Sequence, residues 1–120
     1  YVRNMPEWCG MADAAVSGSR SEGLPFHIME AMYAGLPIVA SDVKGTSDLL
    51  SDHEAGLLYP YGDDAACAAQ IQRLMDSDRL RRQLGARARE HVEQYSLERV
   101  LPGVLGLYDG LLLEQTVRQR

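Results

Sequence analysis

The segment SRSEGLPFHIMEAMYAGLPIVASD, residues 19–42, decides the fold. Its middle, PFHIMEAMYAG (Pro25–Gly35), has proline at the first helical position and glycine just past the end, the start and stop signals of a short helix. LPIVASD (Leu36–Asp42) follows, apolar, rich in β-branched residues and too short for a helix, the pattern of a strand buried on both faces. DAAVSGS (Asp13–Ser19), ahead of the loop, is a second short apolar run stopped by Gly and Ser. Together they form a strand–loop–helix–strand unit, which implies a parallel pair. The segment also poses a problem of charge. Glu30 stands among the Ile, Met and Ala that this helix buries, and Glu22 sits in the Gly/Pro loop before it; neither has a packing use there.

The alternation extends in both directions. MPEWCGMA (Met5–Ala12) reads as a short helix with Pro6 near its first turn, GTSDLLSD (Gly45–Asp52) as a brief helix and AGLLYP (Ala55–Pro60) as a third strand. Beyond Pro60 only helices are expected. DDAACAAQIQRLMDS (Asp63–Ser77) opens with acidic residues suited to a helix N-terminus and places Ala66, Ile71, Leu74 and Met75 near helical spacing. DRLRRQLGARAREHVEQYS (Asp78–Ser96) puts Leu80, Leu84, Ala88, Val92 and Tyr95 on one face with charges opposite, and residues 96–120 read as one more, unusually apolar helix. The fold class is therefore α/β, a Rossmann-like parallel sheet with flanking helices. Three strands are few for a doubly wound sheet of five or six, so the first strands of the domain are expected upstream. Residues 1–95 are expected to form this partial Rossmann-like domain, with 96–120 as a helix packing toward another domain.

Composition narrows the function. The chain has 120 residues, 46% hydrophobic and 24% charged, ordinary for one folded domain. A formal net charge of −5 argues against a nucleic-acid or acidic-membrane binder, which needs a basic face. Cys9 and Cys67 match neither a disulfide framework nor a metal site, and read as reduced thiols of a cytosolic protein. No run is long enough to span a membrane.

In open parallel sheets, ligands bind beyond the carboxyl ends of the strands, where loops lead into helix N-termini. The loop GSRSEGLPF occupies that position. Free amides at the helix start, with the helix dipole behind them, make an anion site; Gly23, Leu24, Phe26 and His27 can donate, whereas Pro25 cannot. Glu22 at the mouth can accept hydrogen bonds from hydroxyls. Glu30 lies about one and a half helical turns further in, on the order of 8 Å, where a carboxylate can bind a vicinal diol through both oxygens. Hydroxyl-rich group, phosphates, ribose: that is the layout of a nucleotide sugar.

SEGLPFHIMEAMYAGLPIVASDVKG resembles the donor-site segment of the family 4 retaining glycosyltransferases (glycosyltransferase group 1), whose GT-B fold sets two Rossmann-like domains face to face. The hallmark is Glu, seven residues, Glu, then Ala-Met/Ala-x-Gly-x-Pro-[Val/Ile]-Val-Ala-[Ser/Thr], and each element is in register. The likeness continues through GLLYPYGDDAACAAQIQRLMDSDRLRRQLGARARE and QYSLERV, so it covers nearly the whole chain. It implies that Glu22 contacts the donor sugar near the reacting centre as the catalytic residue. The main chain of Gly23 and Leu24 would face the sugar hydroxyls, that of Pro25 and Phe26 would border the phosphates, and Glu30 would bind the ribose. It also implies retention of anomeric configuration, no protein nucleophile, no cofactor and no metal. The family's Arg and Lys that neutralise the diphosphate, and its acceptor domain, belong upstream of Tyr1, so the 120 residues are expected to be inactive alone.

Implied for the parent are transfer of a hexosyl group from a nucleoside-diphosphate sugar to a sugar or lipid-linked acceptor, in cell-surface polysaccharide synthesis. A cytoplasmic site, peripheral to the inner face of the membrane, goes with that setting. Cut loose from the missing N-terminal domain, the last helix is expected to self-associate. The alternatives are a stand-alone nucleotide- or protein-binding module without catalysis, and a fragment of a sugar-nucleotide 2-epimerase. Bland readings stand beside the sharp ones: Glu30 as a surface glutamate paired with a Lys or Arg, Glu22 as a solvated loop carboxylate, and His27 as a surface or capping residue. Asp42 reads as a turn or helix-start acceptor. Lys44 reads equally as solvated or as facing a phosphate or base. Trp8, Tyr59 and Tyr61 read as packing aromatics, and His53, His91 and the charged stretch Arg79–Glu93 as turn and solvated helix face.

Overall fold

The computed structural model describes residues 2–50 and 54–118, with side chains to residue 112. The order is α1 (Met5–Met11), β1 (Ala15–Ser17), α2 (Phe26–Tyr33), β2 (Ile38–Ser41), α3 (Lys44–Leu50), β3 (Leu57–Tyr59), α4 (Asp64–Met75), α5 (Asp78–Val92), a 3-10 turn (Glu93–Tyr95) and α6 (Leu97–Arg118). The strands form one parallel sheet in the order β1-β2-β3, with Val16 opposite Val39 and Val39 opposite Leu57. His53 lies outside the described residues.

The pleat of β2 explains the two layers. Successive side chains point to opposite faces, and all four β2 residues are buried. Ile38 and Ala40 face Ile28, Ala31 and Met32 of α2 and Leu49 and Leu50 of α3. Val39 faces the other way, toward Tyr59, Leu74 of α4 and Leu84 of α5. Helix α5 serves both layers, with Leu84 in one cluster and Ala88 and Val92 in the other. Each fully buried Ile, Leu or Met contributes about 1.5–3 kcal/mol against exposure, and these side chains set the register of the sheet.

Local chemistry sets the ends. Asp63 Oδ1 accepts from the Ala66 amide at 2.9 Å and Ser77 Oγ from the Leu80 amide at 3.1 Å, capping α4 and α5. Gly35, at φ +74°, takes the left-handed conformation that ends α2 and turns the chain into β2.

Several expectations are corrected. The strands are shorter than their apolar runs, because each outer strand pairs with only three residues of β2. Pro25 is the N-cap of α2, and the helix begins at Phe26. Met75 is 68% exposed: Leu74 takes the inward position, and the next residue lies 100° further round the helix. His91 is buried, its ring edge-on to Tyr95 at 5.8 Å and Gln94 Nε2 2.7 Å from its Nδ1, so this part of α5 is not a solvated face. Trp8 and Tyr61 are more than half exposed, whereas Tyr59 does pack in the core.

Helix α6 projects from this body. Its apolar residues Val100, Leu101, Val104, Leu105 and Leu111 are exposed, and the Cα trace measures 67 × 29 × 28 Å. No helix among the described residues is long and apolar enough to cross a membrane.

Candidate functional site

The parallel strands end together at Ser17, Ser41 and Tyr59, and the loops that leave them carry the candidate residues. Ser17 and Ser41 interrupt otherwise apolar strands and are buried, so their hydroxyls must find partners. Those partners lie in the loop between β1 and α2. Ser41 Oγ donates to the Ser19 carbonyl at 2.6 Å, the Tyr59 hydroxyl donates to the Ser17 carbonyl at 3.3 Å, and Ser17 Oγ lies 3.3 Å from Ser19 Oγ. The loop start is thus tied to β2 and β3.

Tyr59 is suited to this task. Burial holds its phenol protonated above the usual range, and the neighbouring Cys67 thiol and Asp64 carboxylate push in the same direction. The hydroxyl therefore stays a donor at any neutral pH. Tyr59→Phe removes that donor and leaves the Ser17 carbonyl short of one partner. It is expected to cost about 1 kcal/mol in thermal or urea unfolding, with no change in fold.

The far side of the loop rests on α3. A Cβ built on Gly45 would lie 2.5 Å from the Gly23 carbonyl oxygen and 2.6 Å from that of Glu22. Only a glycine lets α3 approach the main chain that carries Glu22. Thr46, fully buried, accepts from the Val43 amide at 3.2 Å and donates to the carbonyls of Ser41 and Val43, closing the β2–α3 turn. Asp42 accepts from Ser47 Oγ, which makes it the turn acceptor expected from its position. Lys44 pairs with Asp48 at 2.8 Å, both well exposed, and that carboxylate holds its ammonium pKa above the ordinary value.

Helix α2 opens without a side-chain cap. The Ile28 and Met29 amides both reach the Pro25 carbonyl at 3.1 Å, while those of Phe26 and His27 make no hydrogen bond within the described residues. Two free donors at a helix start, backed by its dipole, are an anion-binding arrangement. Glu30 lies one turn on, roughly 6 Å along the axis. Its carboxylate is exposed, not among the residues that α2 buries as the sequence suggested, and pairs with no cation among the described residues. It borders a groove of about 590 Å³ between α1, α2 and the end of α5, walled by Met5, Pro6, Cys9, Phe26, Met29 and Tyr33. Arg89 forms the groove's far corner, its guanidinium 4.1 Å from the centre of the Tyr33 ring.

Glu22 is half-buried and Gly23, Leu24 and Arg20 are exposed, so the loop presents its main chain outward. The structure thus brings Glu22–Phe26 and the start of α3 to one end of the sheet, with Glu30 on the flank of the same helix. His27 is exposed, as a surface residue would be, and its Nε2 lies 3.1 Å from Ser17 Oγ. Gly45, Ser17, Ser41 and His27 escaped the reading by motif; the two serines in apolar strands were the visible signal. Among the described residues no three His, Cys, Asp or Glu side chains converge as metal ligands.

Comparison with known proteins places this arrangement. The sequence model of the family described as glycosyl transferases group 1 matches residues 1–91. The N-acetyl-alpha-D-glucosaminyl L-malate synthase of Bacillus anthracis is 30% identical over 110 residues, 91% of this chain and 29% of that protein. A sucrose-phosphate synthase from Thermosynechococcus elongatus superimposes with a TM-score of 0.83 at 31% identity, over 89% of this chain and 27% of that one. A variant of TarM from S. aureus, solved with Fondaparinux, alpha-GlcNAc-glycerol and UDP, does so with a TM-score of 0.80 at 32% identity, over 90% of this chain and 22% of that one. The chain therefore spans less than a third of the length of each.

Proposed function

The chain belongs to the glycosyl transferases group 1 family, and from that premise we propose that it carries the nucleotide-sugar side of a retaining, GT-B glycosyltransferase site. The parent protein transfers a hexosyl group from a nucleoside-diphosphate sugar to a sugar or lipid-linked acceptor, with cell-surface polysaccharide assembly at the cytoplasmic face of a membrane as its setting. The observation that carries this is Glu30: an exposed carboxylate without a cation, one turn below two free helix amides at the carboxyl end of a parallel sheet.

The roles follow from the chemistry of each group. The Phe26 and His27 amides and the α2 dipole stabilise the diphosphate, whose negative charge grows as the glycosidic bond to it breaks. Pro25 adds no donor but fixes the approach of the chain to the helix. Glu30 accepts the two ribose hydroxyls, and the apolar groove beside it offers walls for the base. Gly23 and Leu24 present main chain to the sugar hydroxyls, and Glu22 lies nearest the anomeric centre. The reaction asks for positioning and charge stabilisation at the leaving group, with no cofactor and no metal.

Amide NMR spectra recorded while UDP, GDP and their glucose or mannose adducts are titrated to about 10 mM test this reading. An affinity near millimolar, about 4 kcal/mol, is expected. Shifts should centre on Gly23, Leu24, Phe26 and His27. Glu30→Ala should weaken binding at least tenfold, since hydrogen bonds to a charged group are worth about 1.5–3 kcal/mol. Silence toward every nucleotide, in this chain and in a longer one that adds the upstream segment, would sink the proposal.

A further inference from the structure

The His27 ring has no role in the site as assigned above, yet it is joined to the loop that carries Glu22. Its Nε2 lies 3.1 Å from Ser17 Oγ, which lies 3.3 Å from Ser19 Oγ. Ser17 is the last residue of β1 and only 6% exposed, so this is a bond to the rigid sheet. It links the two points between which the loop is strung, the end of β1 and the first turn of α2. The Ser41 and Tyr59 bonds fix only the first of those points, and Gly45 packing fixes the middle. His27 alone among these groups sits on the helix that supplies the free amides and Glu30.

The bond also sets the direction of two hydroxyls. With hydrogen on Nε2, the ring donates to Ser17, Ser17 donates to Ser19, and the Ser19 hydroxyl is released to donate elsewhere. Without it, Ser17 donates to the ring and Ser19 must donate inward. An anion at the start of α2 favours the first arrangement, which adds an outward donor at the loop.

We propose that His27 is a positioning residue for the nucleotide-sugar site: through Ser17 it fixes the Glu22 loop relative to the α2 amides, without its ring touching the ligand. This rests on the donor-site reading above. The test titrates UDP and GDP into the wild-type chain, His27→Leu, His27→Gln, Ser17→Ala and the His27→Leu/Ser17→Ala double variant, with long-range ¹H–¹⁵N spectra of the imidazole. His27→Leu should weaken binding about fivefold, the worth of one net hydrogen bond. His27→Gln, which can still donate to Ser17, should restore most of it. The double variant should bind no more weakly than Ser17→Ala, because that change already removes the bond that His27→Leu removes. The wild-type ring should carry its hydrogen on Nε2 when the nucleotide is bound. Equal affinity for wild type and His27→Leu overturns the proposal, as do equally weak Leu and Gln variants or additive losses in the double variant. No binding by the wild type, here or in the longer chain, overturns the donor-site reading and this inference with it.

Discussion

Gly45→Ala is expected to disable the site while leaving the fold nearly as stable as before. Its added Cβ would meet the carbonyl oxygens of Gly23 and Glu22 at 2.5 and 2.6 Å, separations that real Cβ atoms do not adopt. Something must move by about 1 Å, and the loop is the softer partner, because Gly23 and Leu24 are exposed whereas Thr46, Leu49 and Leu50 anchor α3 in the core. Overpacking costs about 1–3 kcal/mol, and replacing a helical glycine by alanine returns up to about 1 kcal/mol. The net loss of stability should be about 1 kcal/mol. Function should suffer more: a 1 Å misplacement of a positioning group can cost on the order of 100-fold. The measurements are nucleotide affinity in this chain, transfer rate in a longer one, and the thermal midpoint of both. Gly106→Ala is the control, since nothing lies within 4 Å of a Cβ there and it does not line the groove. Unchanged affinity and rate in Gly45→Ala would mean that α3 does not support the loop.

That contact marks the limit of what the sequence disclosed. The strand–helix–strand unit was legible because proline, glycine and β-branched residues act locally, and the parallel pairing followed from its alternation. Glu22 and Glu30 stood out as candidates because a carboxylate among buried residues has no packing use, yet Glu30 lies on the exposed side of α2 and Glu22 is half-buried. The contact at Gly45 was not legible, because Glu22 and Gly23 are distant in sequence and Gly45 read only as the opening of a brief helix. His27 is exposed as read, but its bond to Ser17, ten positions away in another element, was not visible in the sequence. His91 misled the helical reading: its charged neighbours pointed to solvent, while Tyr95 one turn on buries it. Periodicity assigns a face to each residue, but only the packed structure shows which backbone lies against it.

Gly85→Ala separates those two kinds of information. Gly85 sits inside α5, where local propensity alone predicts that alanine stabilises by up to about 1 kcal/mol. The structure predicts the opposite. A Cβ at Gly85 would fall inside the van der Waals envelope of the Gly35 carbonyl oxygen, at the turn that ends α2 and starts β2. Neither side yields easily, since Gly85 lies between the core residues Leu84 and Ala88, and Gly35 leads directly into buried Leu36 and Ile38. The expected cost is about 3 kcal/mol, at the upper end for overpacking, and the thermal midpoint should fall by roughly 10 °C. Gly35→Ala supplies the contrast. Its Cβ has room, with the Gly85 carbonyl oxygen 3.9 Å away, but its φ of +74° is a left-handed conformation that costs an L-residue about 1–2 kcal/mol. Asparagine at position 35 should recover part of that loss and none is recoverable by asparagine at position 85, because one site demands a conformation and the other demands space. A midpoint that rises with Gly85→Ala would show that α5 does not pack on the α2–β2 turn, and the placement of Leu84, Ala88 and Val92 against the sheet would fall with it.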